Sequence, residues 1–178
     1  MQRNIARRDA PRYFCFHLDE FDAKAHLSIM DVSGTIDAIL GQKGSEIFSV
    51  SPDATVYEAV DLMANKNVGA LVVVQDGRLL GMISERDYTR KVMLRGKRSR
   101  EIQVREIMSS DLTIVTPREP VENCLRMMTE KRIRHLPVVE GDTLRGMISI
   151  GDLVKWVIAS QSAAIAHLEN YISGGYSG

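Results

Sequence analysis

Gly-Met-Ile-Ser-x-x-Asp is written twice in a chain of 178 residues, at 81–87 and again at 146–152. With Val50 set against Val115, the register holds without a gap from 47–88 against 112–153. Pro52 meets Pro117, Val56 meets Val121, Met63 meets Met128, Leu71 meets Leu136 and Leu79 meets Leu144; about a third of the positions are identical. An internal period of this kind dictates architecture before any single residue does. One copy carries too little apolar sequence to bury a core alone, whereas two can bury their sheets together.

Each copy reads as β-α-β-β-α. A short strand (48–50; 113–115) runs into a Pro turn. Val56, Ala59, Val60 and Met63, matched by Val121, Cys124, Leu125 and Met128, follow the i, i+3, i+4, i+7 spacing of a helix with one apolar face. Thr55-x-x-Glu58 is a capping box, and Pro120 suits a first helical position. "ALVVV" and "HLPVV" are short apolar β-branched runs. "DGR" and "GDT" turn them into "LLGMIS" and "LRGMIS", which makes a hairpin in each copy. A second helix starts at Glu85 or Ile150. Shorter echoes, "IDAIL" (36–40) and "VREIM" (104–108), precede the copies, and the polar "RGKRSREIQ" (95–103) reads as a surface linker. Beyond the second copy, Ile150, Val154, Val157, Gln161, Ile165, Leu168 and Ile172 step by threes and fours. That stripe needs an apolar partner, and because it outruns the repeat a second copy of the chain is the expected one. The expected fold class is α+β, built of α/β-type repeats. Residues 1–30 form an N-terminal extension, 31–95 repeat 1, 96–103 a linker, 104–157 repeat 2, and 158–178 a helix extension and tail.

Composition narrows the function. Lys+Arg 23 balances Asp+Glu 23, without the basic surplus of a duplex binder, whose affinity comes mainly from phosphate contacts. Arg95, Lys97, Arg98 and Arg100 form a local basic run that fits a solvated linker better than a nucleic-acid patch. No apolar run approaches the roughly 20 residues that span a bilayer. The two cysteines lie far apart, Cys124 in an apolar helical pattern and Cys15 in an Arg-rich N-terminal segment. Without a disulfide framework, a reducing cytoplasm is expected. There is no G-x-x-x-x-G-K-[ST] loop and no H-E-x-x-H. Cys15-x-His17 offers two ligands where structural zinc takes four, and Cys124 has no His–Asp constellation around it. Neither an enzyme nor a metal protein is expected.

The repeated Ser and Asp (84/87 and 149/152) have two readings. Ser caps a helix and Asp sits in its first turn, complementing the macrodipole. Alternatively, the helix N-terminus presents N–H groups to an anion while the Asp accepts ribose hydroxyls. In "KRIRHLPVV", Lys131 and Arg132 fit a solvated helix end. Arg134 and His135 stand nearer the strand, where a phosphate partner is plausible. Arg86 faces the same chemistry, but its counterpart is Gly151, so two sites would differ.

The doubled GMIS-x-x-D, "VGALVVV…GRLLG" and "IRHLPVV…TLRG" resemble a tandem pair of CBS (cystathionine-β-synthase) domains, a Bateman module, over about 36–157. "SERDYTRKVMLRG" and "RIRHLPVVEGDTLRGMISIGDLVK" also resemble short stand-alone bacterial CBS-pair proteins. The resemblance implies a pseudo-twofold module with two clefts that bind an adenine nucleotide (AMP, ATP or NAD(H)), with Asp87 and Asp152 on ribose and Ser84 and Ser149 near the sugar-phosphate. It further implies clefts shared between repeats. One joins Met108, Thr113, Ile133 and Arg134 to Ser84, Arg86 and Asp87. The other joins Leu40, Phe48, Val68, Gly69 and Ala70 to Ser149, Gly151 and Asp152. Arg134 and His135 would neutralise phosphate. Phe48, larger than its counterpart Thr113, would narrow one base pocket. The function expected is non-enzymatic nucleotide sensing by a homodimer acting on an unknown partner; the alternative is an interaction module with empty or structural clefts.

Overall fold

The computed structural model describes residues 34–44 and 46–174. The N-terminal extension, with Cys15 and His17, lies outside them, as do the side chains of Leu168 and Ile172. In chain order the elements are α1 (Ile36–Lys43), β1 (Ser49–Val50), α2 (Val56–Lys66), β2 (Ala70–Gln75), β3 (Arg78–Ser84) and α3 (Glu85–Lys91), then α4 (Val121–Glu130), β4 (His135–Glu140), β5 (Thr143–Ser149) and α5 (Ile150–Gly174). The fold is α+β, with the two repeats visible as copies.

β2 and β3 pair antiparallel with Leu71 opposite Ile83 and Val73 opposite Gly81; β4 and β5 repeat this register with Leu136 opposite Ile148 and Val138 opposite Gly146. Both hairpins carry an irregularity at the same place, Val73/Val74 and Val138/Val139. Asp76 and Gly77 both have positive φ (50° and 75°), as a tight primed turn demands. β1 pairs parallel with β2. The second expected strand at 113–115 contracts to one parallel bridge, Val115 with Val138. The Thr55–Glu58 capping box forms. Pro120 is the N-cap of α4 rather than its first helical residue, with extended backbone (φ −63°, ψ 143°).

The continuous apolar run of β2 follows from burial on both faces. Leu71 and Val73 face α2 and pack with Val56, Ala59, Met63 and Ile83. Ala70 and Val72 face the other way, into a seam with Met82 that draws Leu112, Leu144 and Met147 from the second copy. Equivalent side chains thus meet across the seam.

The short echoes exchange places. Ile36 and Ile39 of α1 sit in the core of the second copy, with Val121, Cys124, Met128, Leu136 and Leu153. Ile102, Val104 and Ile107 close the core of the first. The backbone makes the same exchange: the Ile36 N–H donates to Glu119 O (3.0 Å) and the Val104 N–H to Ala54 O (2.9 Å). Grouping by chain order, 31–95 and 104–157, therefore differs from grouping by packing at these two segments. The polar run 95–103 is also pinned rather than free. The Tyr57 N–H donates to Ser99 O (3.1 Å), and the Arg100 guanidinium lies 3.5 Å from the Tyr57 ring centroid. Ile102, the apolar residue in that run, is buried.

Cys124 is fully buried, and burial, reinforced by Glu119, pushes its thiol up to about 12. It stays protonated and is a core residue. Along α5, Leu153, Trp156 and Val157 pack on the second core, while Val154 (45% exposed), Ile158 (59%) and Ile165 (58%) face outward. The expected stripe is therefore split. Val157 turns inward beside Leu153, and the outward face runs through 154, 158 and 165.

The motif glycines have a steric cause. A Cβ on Gly81 would lie 2.8 Å from the Ser109 carbonyl oxygen; one on Gly146 would lie 2.6 Å from Leu40 Cδ2. Backbone held by the Met82–Ser109 bonds (2.9 and 2.8 Å) cannot yield, whereas a leucine side chain can turn. Gly81→Ala is expected to destabilise by about 1–3 kcal/mol and Gly146→Ala by less, measured by urea unfolding. Equal losses would contradict this origin.

Candidate functional site

Both Ser-x-x-Asp motifs form reciprocal caps. Asp87 Oδ2 accepts from the Ser84 N–H (3.1 Å) and hydroxyl (2.6 Å), and the Asp87 N–H returns to Ser84 Oγ (3.3 Å). Ser149 and Asp152 repeat the pattern at 2.8, 2.7 and 3.2 Å. Capping alone therefore accounts for the recurrence. It also fixes each carboxylate rigidly, which is what a binding group requires.

What lies in front of Asp87 is a cleft of about 240 Å³ walled by both repeats. Arg86, Asp87 and Met82 come from the first; Thr113, Ile133, Arg134, His135 and Pro137 come from the second. Ser109 and Asp111 of the connecting segment and Leu112 at the start of the second copy close it. Arg86 reaches across the seam, its Nη1 donating to Arg132 O (3.0 Å). Arg132 sits at φ +53°, the same left-handed turn that its counterpart Asn67 makes at +52°, and this turn directs the chain from α4 into β4. Lys131 Nζ donates to Thr113 Oγ1 (2.9 Å). Arg134 is exposed, and its guanidinium has no hydrogen bond or ion pair among the described residues.

The cleft lining carries two guanidiniums, Arg86 and Arg134, and two carboxylates, Asp87 and Asp111. His135 is half-buried, and burial pulls its pKa down; Lys43, Arg134 and Arg86 push the same way, and Asp152 opposes them. A neutral imidazole beside two guanidiniums is the consequence. Asp87 Oδ1 accepts from Lys91 Nζ (2.8 Å), which also donates to Ile107 O (2.6 Å). A carboxylate offers about four acceptor positions, and three are filled, so Asp87 keeps room for one hydroxyl donor.

Of the residues named from sequence, Arg86, Asp87, Thr113, Ile133, Arg134 and His135 come together here. Ser84 stands behind Asp87 as its cap. Met108 turns away, packing on the first core and against Gly81. The second set gathers less well. Phe48 and Val68 pack on the first core, with Lys66 Nζ 5.1 Å from the Phe48 ring. Ala70 is buried in the seam, Leu40 covers Gly146, and Gly69 faces His135, to which an added methyl would approach within 3.8 Å. Ser149, Gly151 and Asp152 open α5, where Lys43 Nζ bonds Asp152 Oδ2 (2.7 Å) and Met147 O (3.0 Å). Burial raises the Asp152 carboxyl, but Lys43 and the two Ser149 donors outweigh it and hold the group below its ordinary value. Sequence reasoning missed Met82, Ser109, Asp111, Leu112, Pro137, Lys131 and Lys43. Met82 carried a signal, being part of the repeated motif; the others depend on contacts between distant segments.

Two copies of one α/β unit, closed over a shared apolar seam with a polar cleft walled by both, define a paired module. The model of the CBS domain matches residues 44–94 and 104–159, and the chain belongs to that family. A CBS domain-containing protein of Arabidopsis thaliana, CBSX3, mitochondrial, is 40% identical over 153 residues, covering 81% of this chain and 74% of its own. Among solved structures, a protein with CBS domains from Burkholderia ambifaria MC40-6 is 45% identical with a TM-score of 0.69, covering 72% of this chain and 96% of that one. A hexameric CBS-CP12 protein from bloom-forming cyanobacteria is 31% identical with a TM-score of 0.61, covering 68% and 70%. CBS pairs are regulatory modules. No helix among the described residues is long and apolar enough to cross a membrane, and no three His, Cys, Asp or Glu side chains among them gather as a metal set.

Proposed function

We propose that this protein is a non-enzymatic sensor of energy or redox state that binds an adenine nucleotide, AMP, ATP or NAD(H), in the cleft between its repeats. One observation carries the reading: Asp87, capped and half-buried, shares a polar cleft with Arg134 of the other repeat, which makes no ion pair among the described residues, and Ile133 and Pro137 add an apolar patch to the wall. A ribose hydroxyl would donate to Asp87, phosphate would accept from Arg134 and Arg86, and the base would lie against Ile133 and Pro137. Ligand that bridges both repeats biases their relative geometry, but only to the extent that it binds two states unequally. Isothermal titration with AMP, ADP, ATP, NAD and NADH is the test. Heat from at least one, reduced in Asp87→Asn, is expected; no heat from any would overturn the reading.

His135 links this binding to pH. Its folded pKa lies below the ordinary 6.5, so the unfolded chain takes up the proton first. The stability contribution is full above pH 6.5 and declines as pH falls from there towards the folded value. A phosphate in the cleft would offset the guanidiniums and raise His135, so binding at pH 6.5 takes up protons. Titration in buffers of different ionisation enthalpy should show more proton uptake in the native protein than in His135→Asn, the remainder belonging to the nucleotide phosphate, whose second pKa is about 6; uptake unchanged by the substitution would contradict the assignment.

The alternative, an interaction module, is favoured by the outward face of α5 with Val154, Ile158 and Ile165. We take that face as the surface for a second copy of the chain, forming a homodimer, and light scattering on the eluted protein decides it. We place the protein in the cytoplasm, where the buried free thiol of Cys124 stays reduced; the plant relative is named as mitochondrial, and cell fractionation separates the two compartments.

A further inference from the structure

The two halves of the module are not equivalent, and the difference begins in the segments that were exchanged. In the first half the segment after the 3-10 turn Val104–Glu106 runs extended, and Ser109 pairs through its backbone with Met82. In the second half the equivalent segment stays helical through Lys43. The longer helix carries two side chains over β5. Leu40 lies on Gly146, where the first half has the Ser109 carbonyl on Gly81. Lys43 Nζ takes the Met147 carbonyl (3.0 Å), replacing the Ser109 N–H that takes the Met82 carbonyl (2.8 Å).

From there the ammonium also bonds Asp152 Oδ2, and His135 senses its charge. In the first half Met82 and Asp87 face the open cleft; in the second, Lys43 lies between their counterparts. The two guanidiniums that could receive phosphate have no counterpart, and the hollow of about 300 Å³ that Lys43, Asp152 and Lys155 line is walled by α1 and α5 rather than by both hairpins. Arg86 and Arg134 of the first cleft correspond to Gly151 and Gly69.

We propose that Lys43 closes the second cleft. A chain therefore binds one adenine nucleotide, in the cleft of Arg86, Asp87 and Arg134, and the Asp152 half takes a second only when Lys43 is removed or displaced. This rests on the nucleotide-binding reading above and adds the stoichiometry and the residue that sets it.

The test is titration of the full chain with ATP, and with AMP where ATP gives no heat, for the native protein and for Lys43→Ala. Lys43 is exposed, so the variant should fold; Lys43→Gln serves as a second variant, and circular dichroism verifies both. One site per chain is expected in the native protein and two in Lys43→Ala, returning to one in Lys43→Ala/Asp152→Asn. Two sites in the native protein, or one in both variants, would overturn the closure while leaving nucleotide binding intact. No binding by any of these proteins would overturn the nucleotide reading and the closure with it.

Discussion

Ile36→Ala should destabilise the protein by about 2–4 kcal/mol, the usual cost of truncating a buried isoleucine, and the damage should appear in the second repeat. Ile36 belongs to the first repeat by chain order but is fully buried among Val121, Met128, Leu136 and Leu153. Removing its methyl groups leaves a cavity against α4 and the β4–β5 hairpin. Urea unfolding measures the loss. Hydrogen exchange locates it: amides of 121–130 and 135–149 should open at lower free energy, while those of 56–66 change less. Val104→Ala, the reciprocal variant, should loosen the first repeat instead. If Ile36→Ala loosened α2 and spared α4, the exchange of segments would be wrong.

Arg134→Glu should weaken nucleotide binding roughly 100-fold or more. A hydrogen bond to a charged group contributes about 1.5–3 kcal/mol, which is about 10- to 100-fold in affinity, and reversing the charge adds repulsion of phosphate. Arg134 is exposed and makes no ion pair among the described residues, so the melting temperature should hardly change. Arg134→Lys should recover only part of the affinity, because an ammonium cannot reproduce a bidentate guanidinium. Titration of each variant with the nucleotide bound most tightly by the native protein measures both. Unchanged affinity in Arg134→Glu would remove the guanidinium from the site.

The repeat and its elements were legible because their signals are local. Helical spacing in α2 and α4, the caps at Thr55 and Ser84, and the Asp76–Gly77 turn are each settled within a few residues. The exchange of α1 with the 102–107 segment was not legible. Both cores present near-identical apolar faces, so nothing in the sequence of Ile36 or Val104 says which one it fills. Of the candidate site, Asp87, Arg86, Arg134 and His135 could be named because they flank the repeated motif and its strand. Lys43 could not, since its partner Asp152 lies 109 residues away. Arg132 was read as a solvated helix end because its side chain was considered, whereas its part in the cleft wall is its carbonyl and left-handed backbone.

A crystal structure of the protein with the tightest-binding adenine nucleotide tests the central claim most directly. The prediction is a ribose hydroxyl on Asp87 and phosphate facing Arg134, with the base between Ile133 and Pro137. A nucleotide seated on the outer surface, touching one repeat only and leaving Asp87 bonded to nothing but Ser84 and Lys91, would contradict it.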